Sequence, residues 1–305
     1  MLNYLINRLF IAIMVTITVS IIAFSLLRLS GDLAAELAGD DATEEEIAQV
    51  AKAYGLDRPL YVQYGVWAGG ALTGDLGQSI FSNEPVFGIL KGAVPTTAKL
   101  AVLALALGII IAVPLGIIAA VYQNTGVDRA SLVIAVFGQA IPNFWLGLML
   151  ILVFGVALRW LPISGQDTLL HFVMPTVTIA LSTLPQIMRL TRTGMVEVLQ
   201  SDYIRAAYAK GLPARMVILK HALRNAILPV VSITMVTFGF LLGGTVVVET
   251  IFALNGLGFE AFQAIIRQDF PVLQSVVLFI SVIYIGLTLL SDLINAQLDP
   301  RIRLS

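Results

Sequence analysis

The chain has 305 residues, of which 58% are hydrophobic and 12% charged, and its mean hydropathy is +0.92. A chain this apolar cannot cover a soluble surface with polar side chains, so a soluble globular fold is excluded and an integral membrane protein is predicted. The absence of cysteine excludes disulfides, thiolate catalysis and cysteine-ligated metals, and the formal net charge of -1 conceals a strong segregation of charge along the chain.

Six apolar stretches are each long enough to cross about 30 Å of hydrocarbon as a helix. They lack the alternation of closed β-barrel strands, so an all-α membrane protein is predicted. The first stretch continues for about 20 residues with no small-residue cleavage pattern after it, which favours a membrane span over a signal peptide. The predicted spans are residues 9–29, 100–121, 132–158, 172–188, 230–248 and 272–290.

Charge is distributed unequally between the segments that connect these spans. Residues 30–99 carry ten of the 19 acidic residues. Because cytoplasmic segments of membrane proteins are enriched in Lys and Arg, both termini are predicted to be cytoplasmic and residues 30–99 extracytoplasmic. The basic residues assigned to the cytoplasmic side are Arg8, Arg129, Arg189, Arg192, Arg205, Lys210, Arg215, Lys220, Arg224, Arg301 and Arg303.

The extracytoplasmic segment carries signals of helical structure. Thr43 and Glu46 fit a capping box that starts one helix, and Gly55 is placed to end it. Pro59 can begin the next helix at its first position. On that helix three aromatic residues recur on one face, as in an interfacial belt: Tyr61, Tyr64 and Trp67.

Two turn-rich extracytoplasmic loops lie near the predicted mouth of the helix bundle. For the first, residues 72–79 with Asp75, packing against the mouth is favoured over direct contact with a substrate. The second, residues 249–270, contains Asn255, Gly256 and Gly258, and its glycines permit a tight turn before a short amphipathic helix. A gate at the mouth and a plain connector both fit this second loop.

Prolines interrupt several spans and leave carbonyl groups unpaired, which is tolerated where neighbouring helices or a water-filled cavity satisfy them. Nearby polar residues are candidates to line a path through the membrane, although ordinary hydrogen bonding between helices explains any one of them equally well. These candidates are Gln139, Asn143, Ser182, Thr183 and Gln186.

The largest charged excursion in the C-terminal two-thirds of the chain is residues 189–229. Ser201 or Asp202 can cap a helix that ends at Gly211 in a left-handed conformation. Pro213 then opens a second helix over residues 214–226, which stops before Pro229. Two short helices are therefore predicted to meet at a glycine hinge on the cytoplasmic side.

Small side chains give the first of these helices a bare face. Ala206, Ala207 and Ala209 adjoin Gly211, and the surrounding cations are Arg205, Lys210 and Arg215. A small-residue surface ringed by cations suits a lever that docks into a groove on another protein. An amphipathic helix on anionic membrane lipid is the alternative, since Met216, Leu219, Leu223 and Ala226 recur at helical spacing. Composition leaves both interpretations open.

Motifs along the whole chain resemble one family. Arg205-Ala206-Ala207, followed by three residues and Gly211 and later by Leu228-Pro229, resembles the EAA loop of the permease subunits of ABC importers, although Arg205 replaces an acidic residue. Further motifs are similar to those of the dipeptide, oligopeptide and nickel permeases: residues 54–60 (YGLDRPL), 74–79 (GDLGQS), 95–97 (PTT), 141–145 (IPNFW), 160–162 (WLP), 221–225 (HALRN) and 248–252 (VETIF).

The resemblance implies a type I importer fold with six transmembrane helices in the inner (cytoplasmic) membrane. The implied partners are a second, paralogous permease chain, two ATPase subunits and an extracytoplasmic solute-binding protein, with no nucleic acid. The sequence contains no GxxxxGK[ST] phosphate-binding motif, so ATP and Mg²⁺ are expected on partner subunits. This chain is expected to be a non-catalytic permease that binds no cofactor.

The resemblance also assigns roles along the chain. Residues 1–94 form the first transmembrane helix with the extracytoplasmic segment, and residues 95–305 form the permease core with the coupling loop at 189–229. Asp75, Asn255, Gly256 and Gly258 are expected to contact the binding protein or form an outer gate. The residues expected to dock an ATPase subunit are Arg205, Ala206, Ala207, Ala209, Lys210, Gly211 and Leu212.

The expected cargo is a di- or oligopeptide, with nickel chelates, glutathione and opine-type solutes as alternatives. An ion-coupled secondary transporter would need an ionisable relay at mid-membrane, and the five spans after the first have no ionisable residue until their ends. A membrane-embedded hydrolase would need a nucleophile beside a base, and no serine is paired with His171 by spacing. His171 and His221 lie on opposite predicted sides, so no metal site is expected.

Overall fold

The computed structural model describes residues 2–30, 33–39 and 42–298. Within these ranges the regular structure is helical, apart from one isolated antiparallel bridge between Gln78 and Pro85. Five charged residues that contribute to the predicted charge asymmetry lie outside the described residues: Asp32, Asp40, Asp41, Arg301 and Arg303.

Fifteen α-helical segments follow one another along the described chain. Three further segments are not α-helical: Ile151–Ala157, which extends α7, and Val217–Ala222 are π-helical, and Leu169–Phe172 is a 3₁₀ turn before α8. The α-helices are α1 (Leu2–Ser30), α2 (Leu33–Ala38), α3 (Glu44–Ala53), α4 (Leu60–Thr73), α5 (Val86–Val121), α6 (Gly126–Ala140), α7 (Asn143–Leu150), α8 (Val173–Leu199), α9 (Asp202–Ala209), α10 (Ala214–Met216), α11 (Leu223–Ala226), α12 (Leu228–Gly244), α13 (Val246–Ile251), α14 (Leu257–Ile266) and α15 (Phe270–Leu298).

Four described helical segments are long and apolar enough to cross a membrane singly: Ile6–Leu26, Val86–Val121, Leu169–Leu199 and Phe270–Ile294. Two bent pairs raise the number to six when each pair is one span. Gly126–Ala140 meets Asn143–Ala157 at 91°, and Ala214–Ala226 meets Leu228–Gly243 at 54°. These six segments fall in the same order as the six predicted spans, and the predicted boundary between residues 94 and 95 falls inside α5.

The third predicted span, residues 132–158, bends sharply at one of the prolines that interrupt the predicted spans. Pro142 has no N–H to continue the hydrogen-bond ladder, and its ring disfavours helical backbone at the preceding residue. Ile141 accordingly adopts φ -85° and ψ 122°, and α6 ends at Ala140. The fifth predicted span, residues 230–248, is also interrupted, because α12 ends at Gly244 and α13 begins at Val246.

The centre of the molecule is a close crossing of α5 and α8, which run in the same direction. A Cβ added at Gly108 would lie 2.8 Å from Thr183 Oγ1, and one added at Gly116 would lie 2.6 Å from Thr191 Cβ. Small residues of this kind let two membrane helices approach closely where hydrophobic driving force between them is weak. Because 108 pairs with 183 and 116 with 191, the contact extends over eight residues of each helix.

The segment predicted to be extracytoplasmic forms the predicted helices and packs on α1. The capping box is present, and the Thr43 backbone and side chain both donate to Glu46, which holds the pKa of that carboxyl below its ordinary value. Two of the three aromatic residues of the predicted belt, Tyr64 and Trp67, pack on the Phe24 ring of α1, with centroid distances of 5.5 and 5.9 Å, whereas Tyr61 is exposed. Pro59 is the N-cap of α4 rather than its first helical residue.

Candidate functional site

The predicted cytoplasmic lever has the expected secondary structure. Helix α9 begins after Ser201 in extended conformation, and the chain reverses at Gly211, whose φ of +74° is in the left-handed region. A second helical arm covers Ala214–Ala226, as predicted, although its middle is π-helical. Its bend of 54° toward α12 comes just before Pro229, near the N-terminus of α12.

Both parts of this lever are anchored to the ends of the long helices. Ile204 of α9 is fully buried in a cluster with Met195 of α8 and Val217 of the arm. At Gly194 the arm approaches so closely that an added Cβ would lie 2.7 Å from the carbonyl oxygen of Ala226. Helix α9 is therefore packed in one buried cluster with the arm and the end of α8.

Burial divides the residues predicted to dock a partner. Ala207 is only 8% exposed and packs inward with Ile204, and Leu212 is half-buried in the same cluster, so these two do not belong to a bare outer face. Ala206, Ala209 and Gly211 are exposed, and a Cβ added at Gly211 meets nothing within 4 Å. The corrected exposed surface, called the knob below, consists of Arg205, Ala206, Ala209, Lys210 and Gly211.

A buried ion pair that the sequence analysis did not identify joins α6 to α8. Arg192 Nε donates to Asp128 Oδ1 and Nη2 donates to Oδ2, each at 2.7 Å. The backbone N–H of Asn124 donates to the same carboxylate at 2.9 Å, and Asp128 is buried. A two-pronged arginine contact of this kind fixes orientation as well as distance. The sequence feature that could have indicated this pair is the position of Asp128 and Arg192 at the ends of otherwise apolar spans.

Of the residues predicted to line a path, Thr183 lies on the wrong face of α8. It is 7% exposed, its hydroxyl donates to the Ala180 carbonyl, and it packs against Gly108 of α5. The adjoining face of α8 bears a polar stripe at helical spacing. This stripe consists of half-buried Ser182 and exposed Gln186, Arg189 and Thr193.

The remaining path candidates lie beside the crossing of α6 and α8. A Cβ added at Gly138 would lie 3.0 Å from the Leu181 carbonyl oxygen. Gln139 is the next residue on α6 and is exposed, and Ser182 is the next residue on α8. Half-buried Asn143 follows the 91° bend as the first residue of α7. Gln139 and Ser182 thus each follow, in sequence, a residue of this crossing.

The outer loop after α13 is organised around a buried carboxylate that the sequence analysis missed. Glu249 is 0% exposed. Its Oε1 accepts the hydroxyls of Thr97 and Thr245, both at 2.7 Å, and its Oε2 accepts the Phe259 N–H at 3.0 Å. No described Lys or Arg forms an ion pair with it. Three donors therefore replace a counter-charge.

The glycines of this loop have a packing role that differs from the predicted surface contact. A Cβ added at Gly256 would lie 2.5 Å from Glu249 Oε2, and one added at Gly258 would lie 2.6 Å from Val246 Cα. Both glycines are buried, whereas Asn255 is exposed and its N–H donates to Gln166 Oε1 at 3.0 Å. Asn255 alone of these three presents its side chain outward.

The other outer loop is fastened to the start of α15. The hydroxyl of buried Ser79 donates to Asp269, which is itself 4% exposed and also accepts the Ile80 N–H at 3.3 Å. Asp75 is exposed, and its Oδ1 accepts the Gly77 N–H at 3.0 Å. This arrangement corresponds to the packing interpretation of the loop, and it leaves the Asp75 side chain at the surface.

Comparison with known proteins adds two family matches. A family model described as "Binding-protein-dependent transport system inner membrane component" matches residues 112–304. A second, described as the N-terminal part of such a membrane component, matches residues 1–101.

Individual relatives match over nearly the whole chain. A probable peptide ABC transporter permease protein of Sinorhizobium fredii is 38% identical, and the match covers 98% of this chain and 99% of the relative. The glutathione transport system permease protein GsiC of Escherichia coli K12 is 40% identical, with 99% of each chain covered. Among solved structures, an inward-facing MetNI methionine ABC transporter matches with a TM-score of 0.59 at 20% identity, covering 71% of this chain and 99% of that one. At this identity, the similarity to MetNI shows a shared fold.

Proposed function

Because the chain belongs to the family of binding-protein-dependent transport system inner membrane components, we propose that it conducts di- or oligopeptides in an ATP-driven importer. It is a multi-pass inner-membrane permease subunit, a class without catalytic activity of its own, and it works with a partner ATPase, a substrate-binding protein and a second permease. We further propose two ATPase subunits and a paralogous second permease, with ATP and Mg²⁺ held by the ATPases.

The peptide assignment follows the names of the relatives. The Sinorhizobium relative is named for peptides, and the Escherichia coli and Shigella relatives are named for glutathione, which is itself a tripeptide. Glutathione is therefore the second candidate cargo. Both classes require a path with polar groups for peptide bonds and terminal charges.

One observation carries the coupling proposal: the knob is bare, cationic and exposed, while Ile204 and Ala207 of the same helix are buried in a cluster with residues of α8 and the arm. The competing lipid-bound arrangement needs a continuous apolar face on the arm. Of the residues that would form that face, Ala226 is buried and Leu223 half-buried, so only Met216 and Leu219 remain exposed. Burial thus favours docking of the knob into a groove on the ATPase.

Force on the knob would reach the pathway through two contacts. The Gly194–Ala226 approach connects the arm to α8, and the Arg192–Asp128 pair connects α8 to α6. The polar stripe of α8 and Gln139 of α6 would then move together. Discrete repacking of such helices against the second permease gives alternating access.

The polar stripe supports a pathway on that face of α8. Ser182 and Gln186 lie within the predicted span 172–188, where a polar side chain that faces hydrocarbon without a hydrogen-bond partner is unfavourable. We infer that this face meets the second permease and water.

On the outer side, exposed Asp75 and Asn255 are the proposed contacts for the binding protein.

The coupling proposal is tested at Gly211 in the importer reconstituted in proteoliposomes. Asp and Asn both tolerate a left-handed backbone, so Gly211→Asp and Gly211→Asn impose a matched backbone cost, and neither clashes within the chain. We expect Gly211→Asp to lower ATP-driven uptake of labelled dipeptide at least about tenfold, because it fills the bare face and places a negative charge among the cations. Gly211→Asn should retain more uptake.

Abundance of the variant chain and co-purification of the ATPase are measured in parallel. Normal uptake by Gly211→Asp with the ATPase still bound would exclude the knob as the coupling element. Uptake of labelled glutathione but not of dipeptides by the unaltered importer would instead reject the peptide assignment while leaving the coupling proposal intact.

A further inference from the structure

A cavity of about 790 Å³ lies between α1, the extracytoplasmic helices and the start of α15. Its lining includes the cations Arg28, Lys52 and Arg58 and the acid Asp75. Asp75 already accepts the Gly77 N–H within its own loop. Among the described residues, the charge of this lining is therefore three positive against one negative, in a chain whose predicted extracytoplasmic segment is otherwise acidic.

Arg28 is the half-buried cation of this cavity, whereas Lys52 and Arg58 are exposed. No described carboxylate pairs with Arg28, its Nε has no hydrogen-bond acceptor, and its closest ring contact is Phe24, with Cζ 5.1 Å from the centroid. A partly desolvated cation without a partner is costly, and an anion placed beside it would remove that cost.

A second lining residue also lacks a partner. Gln274 of α15 is 4% exposed, and its Nε2 has no hydrogen-bond acceptor among the described residues. Arg28 and Gln274 come from different helices and line the same cavity. Gln63 Oε1 lines the same cavity and is an acceptor without a partner, so two donors and one acceptor are unsatisfied among the described residues. The excess of donors and of positive charge favours an acceptor-rich group.

The level of the cavity in the membrane identifies the kind of anion. Arg28 follows the apolar span Ile6–Leu26 by two residues, and Phe270 begins the span Phe270–Ile294. The two helices run antiparallel, since Arg8 near the other end of α1 pairs with Asp292 near the other end of α15 at 3.1 Å. The cavity therefore lies where both spans leave the hydrocarbon, which is the level of lipid headgroups.

The remaining lining suits an amphiphile rather than a soluble ion. Leu33 and Leu37 of α2, Val62 and Val66 of α4, and Trp67 lie beside the cations. Aliphatic side chains with an indole and basic residues are the combination found at membrane interfaces, where acyl chains and headgroups meet.

We propose that this cavity binds the phosphate of an anionic membrane phospholipid, with Arg28 as the principal ligand, Lys52, Arg58 and Gln274 as further donors, and the aliphatic residues of α2 and α4 against the upper acyl chain. The bound lipid holds the extracytoplasmic helices against α1 and α15.

The test uses the intact importer in nanodiscs made from equal amounts of phosphatidylglycerol and phosphatidylcholine, with retained lipids counted by native mass spectrometry. Arg28→Gln should lower the preference for phosphatidylglycerol about tenfold, since one charge-assisted hydrogen bond is lost. Lys52→Gln, at an exposed lining position, should lower it by a smaller factor. Arg159→Gln removes an exposed cation outside the cavity and should leave it unchanged.

Two results would overturn the proposal. The first is an equal preference for phosphatidylglycerol in Lys52→Gln, Arg28→Gln and unaltered importers that elute as the same intact complex. The second is displacement of the retained lipid by inorganic phosphate, which would indicate a site for a soluble anion instead. If Arg28→Gln does not assemble, the Lys52→Gln result alone decides, because that exposed substitution leaves the packing unchanged.

Discussion

At the scale of single residues, Glu249 is the buried group on which the outer mouth depends. Its two carboxylate oxygens accept three hydrogen bonds, from α5, α13 and α14, so one side chain connects three helices. Gln is isosteric but has only one accepting oxygen. If that oxygen keeps the two threonine hydroxyls, the amide NH₂ faces the Phe259 N–H, and two donors oppose each other in a buried site.

We therefore expect Glu249→Gln to lower the free energy of unfolding by about 1–3 kcal/mol, the usual cost of an unsatisfied buried polar group. Thermal unfolding of the purified chain in detergent, followed by intrinsic fluorescence, measures the change. Glu84→Gln is the matched control, because Glu84 is an exposed acid in the neighbouring outer loop. Equal melting temperatures for the two variants would show that the carboxylate of Glu249 contributes nothing to stability.

The neighbours of Glu249 could be identified from the sequence, but its role as a buried hydrogen-bond acceptor could not. Gly256 and Gly258 were interpreted as a tight turn, and the turn exists, but the reason for glycine is the lack of space beside a carboxylate and a backbone from elsewhere in the chain. Burial of an acid at the end of an apolar span is a tertiary property. A local sequence pattern does not reveal this burial, because a buried acid and an exposed acid at the end of a span occur at the same spacing along the chain.

At the scale of helices, the close crossing of α5 and α8 makes a quantitative prediction. Ala at position 116 would place its Cβ 2.6 Å from Thr191 Cβ and 2.8 Å from the Met188 carbonyl oxygen, so the helices must separate. Overpacking of this kind costs about 1–3 kcal/mol. Gly92→Ala on the same helix meets nothing within 4 Å and should stabilise the helix by up to about 1 kcal/mol.

The two variants differ only in whether a methyl group meets a neighbouring helix. Their melting temperatures should therefore move in opposite directions, and a shift in the same direction would mean that α5 and α8 do not approach at Gly116.

Helix positions such as 214–226 and the Thr43 capping box were predictable, since both depend on local residues. The pairing of Gly116 with Thr191 was not, because hydropathy identifies a span without identifying its neighbours.

For the molecule as a whole, six spans and their order could be predicted, while the bends could be predicted only in part. Proline marks both sharp bends, yet Pro114 and Pro185 lie within continuous α5 and α8. The same residue type therefore gives different outcomes, which depend on how neighbouring helices satisfy the freed carbonyl. The inward placement of Thr183 and Ala207 was missed for a related reason, because small and polar residues occur both in tight helix crossings and in open paths.

The fold also groups the candidate residues at two ends, and the distribution of charge then predicts which end faces the cytoplasm. Thr97 donates to Glu249 and Thr96 donates to Gln166 at one end, whereas Asp128 and Arg192 pair at the other, near the contact of Gly194 with the arm. Basic segments favour the cytoplasmic side, so the end with the knob should be inside.

A green fluorescent protein reporter inserted after Lys210 should fluoresce, and alkaline phosphatase inserted after Glu46 should be active. Asn124, in the exposed turn between α5 and α6, provides an independent position that should behave like Lys210. The reverse pattern at all three positions would place the knob outside, where no ATPase can reach it, and would remove the basis of the coupling proposal.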